Sequence, residues 1–223
     1  MVMAFWNAPL TDENHAEHAI DAAMAMQRTA DELIPQFAAR HLPEIHIGIG
    51  INTGFMNVGD MGSEYRRTYT VIGDSVNLGS RLEGLTKFYG VKILVGEGTY
   101  DLAPNYLYRL VDKIIVKGKR EPVCVYEPVC RVEDASDSRR GRVETYNRAL
   151  DHYYSREWDE AEKILRELNK AEEDWSGNRD LIKWSSGDPS VKPKSDAEAV
   201  GVERLARLKA IVGGSAGNLV EWY

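Results

Sequence analysis

Arg67-Thr68-Tyr69-Thr70-Val71-Ile72-Gly73-Asp74-Ser75-Val76-Asn77-Leu78-Gly79-Ser80-Arg81-Leu82-Glu83 is the stretch on which the fold turns. Its first part is rich in β-branched residues, and Thr68 to Ile72 reads as a short strand. Gly73-Asp74-Ser75 then breaks the strand and opens a helix that continues to about Tyr89 and stops at Gly90. Asn77 and Arg81 are four residues apart, so they share one face of that helix. Thr70 stands near the end of the strand. This arrangement suits a phosphate and a sugar. A guanidinium offers planar donors to phosphate oxygens. A carboxamide donates to and accepts from a ribose. Yet on a solvated helix an Asn and an Arg at this spacing are ordinarily plain surface residues. Spacing alone leaves both readings open.

Upstream, Ile45-His46-Ile47-Gly48-Ile49-Gly50-Ile51 alternates strictly and predicts a strand with isoleucine on one face. The other face carries His46, Gly48 and Gly50, so another element must pack very close there. Gly54 to Gly62 reads as a turn-rich hairpin region. Further upstream, Asp12 or Asn14 can cap a helix running to about Ile34, with Pro35 kinking or ending it. Ile20, Ala23, Gln27, Ala30 and Ile34 stack at helical spacing, and Ala19, Met26, Leu33 and Phe37 widen the apolar stripe. Met1 to Trp6 reads as a buried strand ended by Asn7-Ala8-Pro9. A core strand at the first residue implies a natural domain that opens farther upstream.

Downstream, Val91 to Val95 reads as a strand and Glu97 to Leu102 as a short helix. Tyr106 to Val116 and Val123 to Val129 read as two strands joined by Lys117-Gly118-Lys119-Arg120-Glu121-Pro122. Helices and strands alternate without a strict pattern, which is an α/β or α+β class.

Composition bounds the possibilities. The chain has 223 residues with 43% hydrophobic and 28% charged side chains, enough to bury a core. A net charge of −7 argues against a general nucleic-acid binder, which needs a basic footprint. Two cysteines exclude a disulfide scaffold, and Cys124 and Cys130 read as reduced, packed thiols. No stretch reaches the roughly 18 apolar residues of a membrane helix. The expected location is the cytoplasm, with any membrane attachment arising only through flanking regions outside this chain. His15 and His18 are three apart on a helix, but without a third clustered ligand they read as ordinary solvated histidines.

The decisive string, taken with several others in the same order, resembles the signature of class III nucleotide cyclases, particularly bacterial adenylyl cyclases. The others are Met3-Ala4-Phe5-Trp6-Asn7-Ala8-Pro9, Gly48-Ile49-Gly50-Ile51-Asn52-Thr53-Gly54, Gly59-Asp60-Met61-Gly62-Ser63 and Val116-Lys117-Gly118-Lys119. The first of these glycine runs does not have dinucleotide-binding spacing. The resemblance covers Met1 to about Val129. It implies an α+β sandwich with a ferredoxin-like core, here without its first strand and helices, followed by an α-helical hairpin. It implies conversion of ATP to cyclic AMP and pyrophosphate, by attack of the ribose 3′-hydroxyl on the α-phosphorus. Asn77 would orient the ribose and Arg81 would stabilise the transition-state charge. Lys119 would bind terminal phosphates. Thr70 would help read the adenine edge, where guanylyl cyclases usually place cysteine. Such chemistry needs positioning and charge neutralisation more than a protein nucleophile.

The resemblance also implies Mg²⁺ or Mn²⁺ in the complete enzyme, held by two aspartates, with a lysine reading adenine beside them. All three positions fall upstream of Met1, so no metal is expected to bind this chain alone, and no activity is expected from it alone. Family members act as homodimers or heterodimers of cyclase domains, one half bringing the metal aspartates and the other the Asn, Arg and phosphate lysine. The rival reading is a non-catalytic regulatory or interaction module acting through its dimer face and hairpin. The expected boundaries are residues 1–130 for the partial cyclase domain and 131–142 for a charged linker. Residues 143–174 follow as a hairpin resembling a tetratricopeptide repeat, packed through Ala149, Tyr153, Trp158, Ala161 and Leu165. Residues 175–203 are polar and weakly ordered, and 204–223 form an apolar C-terminal helix. The last twenty or so residues resemble the start of a major-facilitator metabolite/proton symporter.

Overall fold

A computed structural model describes residues 2–114 and 122–170. The expectations for residues 175–203 and 204–223, including the symporter-like tail, lie outside the described residues, as do Lys117, Lys119 and Arg120. The chain divides into two compact units, residues 1–87 with 92–105, and residues 88–91 with 106 onward.

In the first unit, helix α1 spans His15–Ala39. The Asp12 carboxylate shapes its start, accepting from the Asn14 backbone N–H at 3.0 Å and pairing with His18 Nδ1 at 2.8 Å. Hydrogen bonding to His18 holds the Asp12 carboxyl below its usual range, and Asp12 in turn raises the His18 imidazole. Ala16, Ala19, Ile20, Ala23 and Gln27 form the buried face, as the helical spacing predicts. Met26 and Leu33 face outward instead, so the apolar stripe is narrower than expected. The helix also continues through Pro35 to Ala39. Proline there lacks only one N–H on an exposed face near the helix end, a cost the last turn absorbs.

Strand β1 is Ile49–Ile51 and runs parallel to β4, Ile93–Gly96, in the register Ile49↔Ile93 to Ile51↔Val95. The expected strand from Ile45 is therefore only three residues long. Before Ile49 the Gln27 side chain takes over from a strand partner: its amide donates to the carbonyls of Ile47, at 2.8 Å, and Lys92, at 3.1 Å. Strand β2, Asn57–Ser63, pairs antiparallel with β3, Arg66–Ile72. Asn57 to Gly62 is thus extended ladder rather than a turn-rich region. Pairing overrides the poor strand propensity of its Asn, Asp and Gly residues. The strand expected over Met1–Trp6 does not form among the described residues. Val2 and Met3 are exposed, the backbone has no ladder partner, and Phe5 meets the Tyr69 ring at 5.8 Å.

Helix α2, Asp74–Tyr89, buries Leu78, Leu82, Leu85 and Tyr89 at helical spacing. It stops at Gly90, whose φ of 65° few other residues adopt comfortably. Strand β4 is buried throughout and leads directly into α3, Glu97–Leu102, as expected. Full burial of a side chain such as Leu82 or Leu94 contributes roughly 1.5–3 kcal/mol.

The second unit contains the last two residues of α2, strand β5 (Tyr106–Ile114) and strand β6 (Val123–Arg131), which pair antiparallel. Arg109 and Glu127 stand opposite each other, and the guanidinium donates to Glu127 Oε2 through Nε at 2.8 Å and Nη2 at 2.6 Å. Arg109 also lies over the Tyr146 ring, 5.1 Å from its centre. A 3₁₀ turn at Val132–Asp134 and helix α4, Asp137–Tyr154, occupy much of the stretch expected as a linker. Ser136 caps α4 by accepting from the Arg139 N–H.

Helix α4 lies along the edge of β5. Asn147 accepts from the Leu110 N–H at 3.0 Å and donates to the Tyr108 carbonyl at 3.4 Å, and the Tyr154 hydroxyl accepts from the Lys113 N–H at 3.1 Å. Side chains of one helix thus occupy backbone groups that an edge strand would otherwise offer to another chain. Helix α5, Trp158–Lys170, folds back on α4, and Ala149, Tyr153, Ala161 and Leu165 form their shared core. These are the residues the sequence pattern selects. Trp158 packs edge-on to Tyr153 at 5.1 Å but stays half exposed.

Candidate active site

The site begins at the turn between β3 and α2. Gly73 has a φ of 157°, and its carbonyl accepts the N–H groups of Val76 and Asn77, both at 3.1 Å. A side chain at Gly73 would press on the backbone of Phe55 and Met56 at about 3.3–3.4 Å. Asp74 in the first turn suits the positive end of the helix dipole.

Below this turn, α2 lies directly on the backbone of β1. A Cβ on Gly50 would sit 2.2 Å from the Glu83 nitrogen and 2.3 Å from the Gly79 oxygen. A Cβ on Gly48 would sit 2.0 Å from Thr86 Oγ1. This is the close approach that the glycines of the alternating strand predict. Leu78, Leu82 and Leu85 turn inward, while Asn77 and Arg81, one turn apart on α2, are both exposed. Thr70, half-buried on β3 in register with Gly59, lies three residues before Gly73. The structure therefore brings Thr70, Asn77 and Arg81 to one strand–turn–helix unit. Lys119 lies outside the described residues.

One residue of the site carries a role that sequence reading did not give it. Asn52, directly after β1, donates through Nδ2 to the Ser75 carbonyl at 3.0 Å. The only trace of this in the sequence is its place in Gly50-Ile51-Asn52-Thr53-Gly54, where composition does not say which partner the amide meets. The neighbouring Thr53 hydroxyl pairs with that of Thr99, which is fully buried, at 3.0 Å.

Among the described residues, no group of three or more His, Cys, Asp or Glu side chains could hold a metal ion. Asp12 is taken by Asn14 and His18, and Asp112 by two tyrosines and a backbone N–H. The described residues do not fit the Mg²⁺ or Mn²⁺ that the cyclase resemblance implies. No described helix is long and apolar enough to cross a membrane.

Comparison with known proteins identifies the family of this fold. Residues 2–127 match the model of the adenylate and guanylate cyclase catalytic domain, and the chain belongs to that family. It is 35% identical over 141 residues to adenylate cyclase 1 of Rhizobium meliloti, and 40% identical over 126 residues to an adenylate cyclase of Anabaena cylindrica. These matches take in 63% and 53% of this chain but only 21% and 25% of the relatives, so the chain spans about a fifth to a quarter of their length. Among solved structures it is similar to the adenylyl cyclase CyaB of P. aeruginosa, with a TM-score of 0.51 and 33% identity over 58% of this chain and 67% of that one. It is similar to the guanylyl cyclase Cya2 as well, with a TM-score of 0.50 and 30% identity over 59% of this chain and 66% of that one. The mixed helix-and-sheet fold is that of class III cyclases.

Proposed function

We propose that this chain supplies one half of an adenylate cyclase site, in which ATP is converted to cyclic AMP and pyrophosphate. The observation that carries the reading is the outward face of α2, where Asn77 and Arg81 stand one turn apart immediately after a glycine turn. Asn77 would fix the ribose through both hydrogen-bonding capacities of its amide. Arg81 would meet the charge that builds on the phosphate oxygens as the 3′-hydroxyl attacks. Fixed donors of this kind stabilise a transition state without reorganising at the moment of reaction. Lys119 would hold the terminal phosphates. Thr70 would contribute to the adenine edge, its hydroxyl being able to donate or accept as the base requires.

As the family resemblance implies, the metal-binding carboxylates of the site to which Asn77 and Arg81 contribute would come from the partner cyclase domain. Similarity to adenylate cyclases in sequence and to CyaB in structure supports ATP as the nucleotide. ATP and a cyclase partner are therefore the interactions expected of this chain, with cyclic-nucleotide signalling as its setting.

The test is complementation. A full-length cyclase disabled at its own equivalents of Asn77 and Arg81 is mixed with this chain, with Mg²⁺ or Mn²⁺ present, and cyclic AMP is measured. Product that disappears with Asn77→Ala or Arg81→Ala in this chain supports the reading. No product from a folded mixture overturns it and leaves a non-catalytic regulatory module.

A further inference from the structure

Asn52 touches two segments, the first turn of α2 and the β4–α3 junction. On one side its Nδ2 donates to the Ser75 carbonyl, in the first turn of α2. On the other, its Oδ1 lies against the peptide at the β4–α3 junction, where a Cβ on Gly96 would sit only 2.4 Å from it. Its Cβ would lie 3.8 Å from a Cβ on Gly79, one turn farther along α2. The residues after Asn52 close the same gap. A Cβ on Gly54 would sit 2.3 Å from Ser75 Oγ, and a Cβ on Gly98 2.4 Å from the Thr53 oxygen. Thr53 is hydrogen-bonded to buried Thr99. Residues 52–54 are thus wedged between the first turns of α2 and the segment 96–99.

We infer that Asn52 is a positioning residue: it holds from below the helical turn that presents Asn77 and Arg81 from above. Ser75 and Gly79, against which it lies, flank Asn77 in sequence and face the opposite side of the helix. Helix ends fray, and at a helix start the first-turn N–H groups have no intrahelical partner. Catalytic groups have to be held to about half an ångström of the productive geometry. Anchoring the Ser75 carbonyl to a strand end pins that turn. The chemistry also specifies the amide. Ser75 O is an acceptor only, so the bond needs a donor; an aspartate here would set an anionic oxygen against a carbonyl.

The inference rests on the proposed half-site, and two readouts keep its failure apart from that of the reading itself. The first uses this chain by itself: hydrogen exchange of the Val76–Leu82 amides in wild type and Asn52→Asp, with the α4 amides Ala149–Tyr153 as internal control. Loss of the clamp speeds exchange at Val76–Leu82 at least tenfold and leaves the control within twofold. Unchanged exchange at Val76–Leu82 overturns the inference whatever the activity. Asn52→Ala removes the donor without adding charge, and serves if the aspartate variant fails to fold.

The second readout is the complementation mixture. Asn52→Asp lowers kcat at least tenfold while KM for ATP stays within twofold, because the turn is misplaced for the reaction rather than for binding. An unchanged kcat, or a loss confined to KM, overturns the positioning role. A wild-type mixture that makes no cyclic AMP overturns the half-site before any Asn52 variant is examined, and exchange then still decides whether Asn52 holds the turn.

Discussion

The hydroxyl of Tyr89, the last residue of α2, donates to Oδ2 of Asp112 on β5 at 2.6 Å. The same carboxylate accepts from the Tyr154 hydroxyl of α4 at 3.0 Å and from the Lys113 N–H at 2.7 Å. Three elements therefore converge on one buried acid. Burial pushes the Asp112 carboxyl up to about 7, although each of its three donors pulls the other way. Burial and the neighbouring carboxylate also push both tyrosine hydroxyls above their ordinary range.

Asp112 sets a pH dependence of stability. In the unfolded chain the acid loses its proton near 3.8, and in the folded chain near 7. Between those values the folded state holds the extra proton, so stability falls as pH rises through that window and levels off above it. The total is on the order of a few kcal/mol. His18 has a raised folded value, so what its ion pair contributes is also lost as pH rises, beginning above its ordinary 6.5. The measurement is thus a difference: urea midpoints at several pH values for wild type and Asp112→Asn. The wild-type protein loses more stability from pH 5 to pH 8 than the variant. Parallel profiles would refute the assignment.

Gly50→Ala tests the contact between α2 and β1. The added methyl lands on backbone atoms of Glu83 and Gly79, which no rotamer change can move aside. Overpacking of this kind costs about 3 kcal/mol or more. The expected result is a thermal midpoint lowered by many degrees, or no folded protein. Gly84→Ala, in open space on the same helix, is the control and leaves the midpoint equal or higher.

Glu127→Gln tests the pair across β5 and β6. The Glu127 charge supports the raised value of Arg109, whose guanidinium side chain is only 14% exposed. Removing the charge leaves a largely buried cation facing a neutral amide, at a cost of about 2–4 kcal/mol. Urea denaturation of the variant and of Arg109→Met/Glu127→Leu distinguishes charge from packing. The double apolar replacement should be the more stable of the two.

Asn147→Ala tests how α4 covers the edge of β5. It leaves the Leu110 N–H and Tyr108 carbonyl without their side-chain partner, worth about 1–3 kcal/mol together. Hydrogen exchange at the Leu110 amide should rise in the variant, and the exposed ladder edge should promote self-association at high protein concentration. A monodisperse variant with unchanged exchange would show that the edge is protected by other means.

What is legible in the sequence follows from how local each signal is. Helix α2 is bracketed by its own residues, Gly73-Asp74-Ser75 before and Gly90 after, and its inward stripe fixes which face Asn77 and Arg81 occupy. Gly48 and Gly50 disclose a close approach because a strand gives up alternate side chains chiefly where another backbone presses against it. Strand β2 reads as turns because its Asn, Asp and Gly residues favour turns, while the ladder that straightens it comes from β3. Asp112 looks like an ordinary outward polar residue within a strand. Only Tyr89 and Tyr154, distant in sequence, make it a buried acid. Asn52 is similar: its partner is a backbone carbonyl, which leaves no mark in composition.

Most helices rest on their neighbours through side chains, and rotamers absorb small motions between them. At Gly50 that cushion is missing, because its nearest neighbours on α2 are backbone atoms of Glu83 and Gly79, so the helix and the strand meet like two stiff plates. A shift of β1 by a fraction of an ångström has nowhere to dissipate and must reappear in α2. The floor beneath Asn77 and Arg81 is therefore stiff, with little room for β1 and α2 to move independently at Gly50.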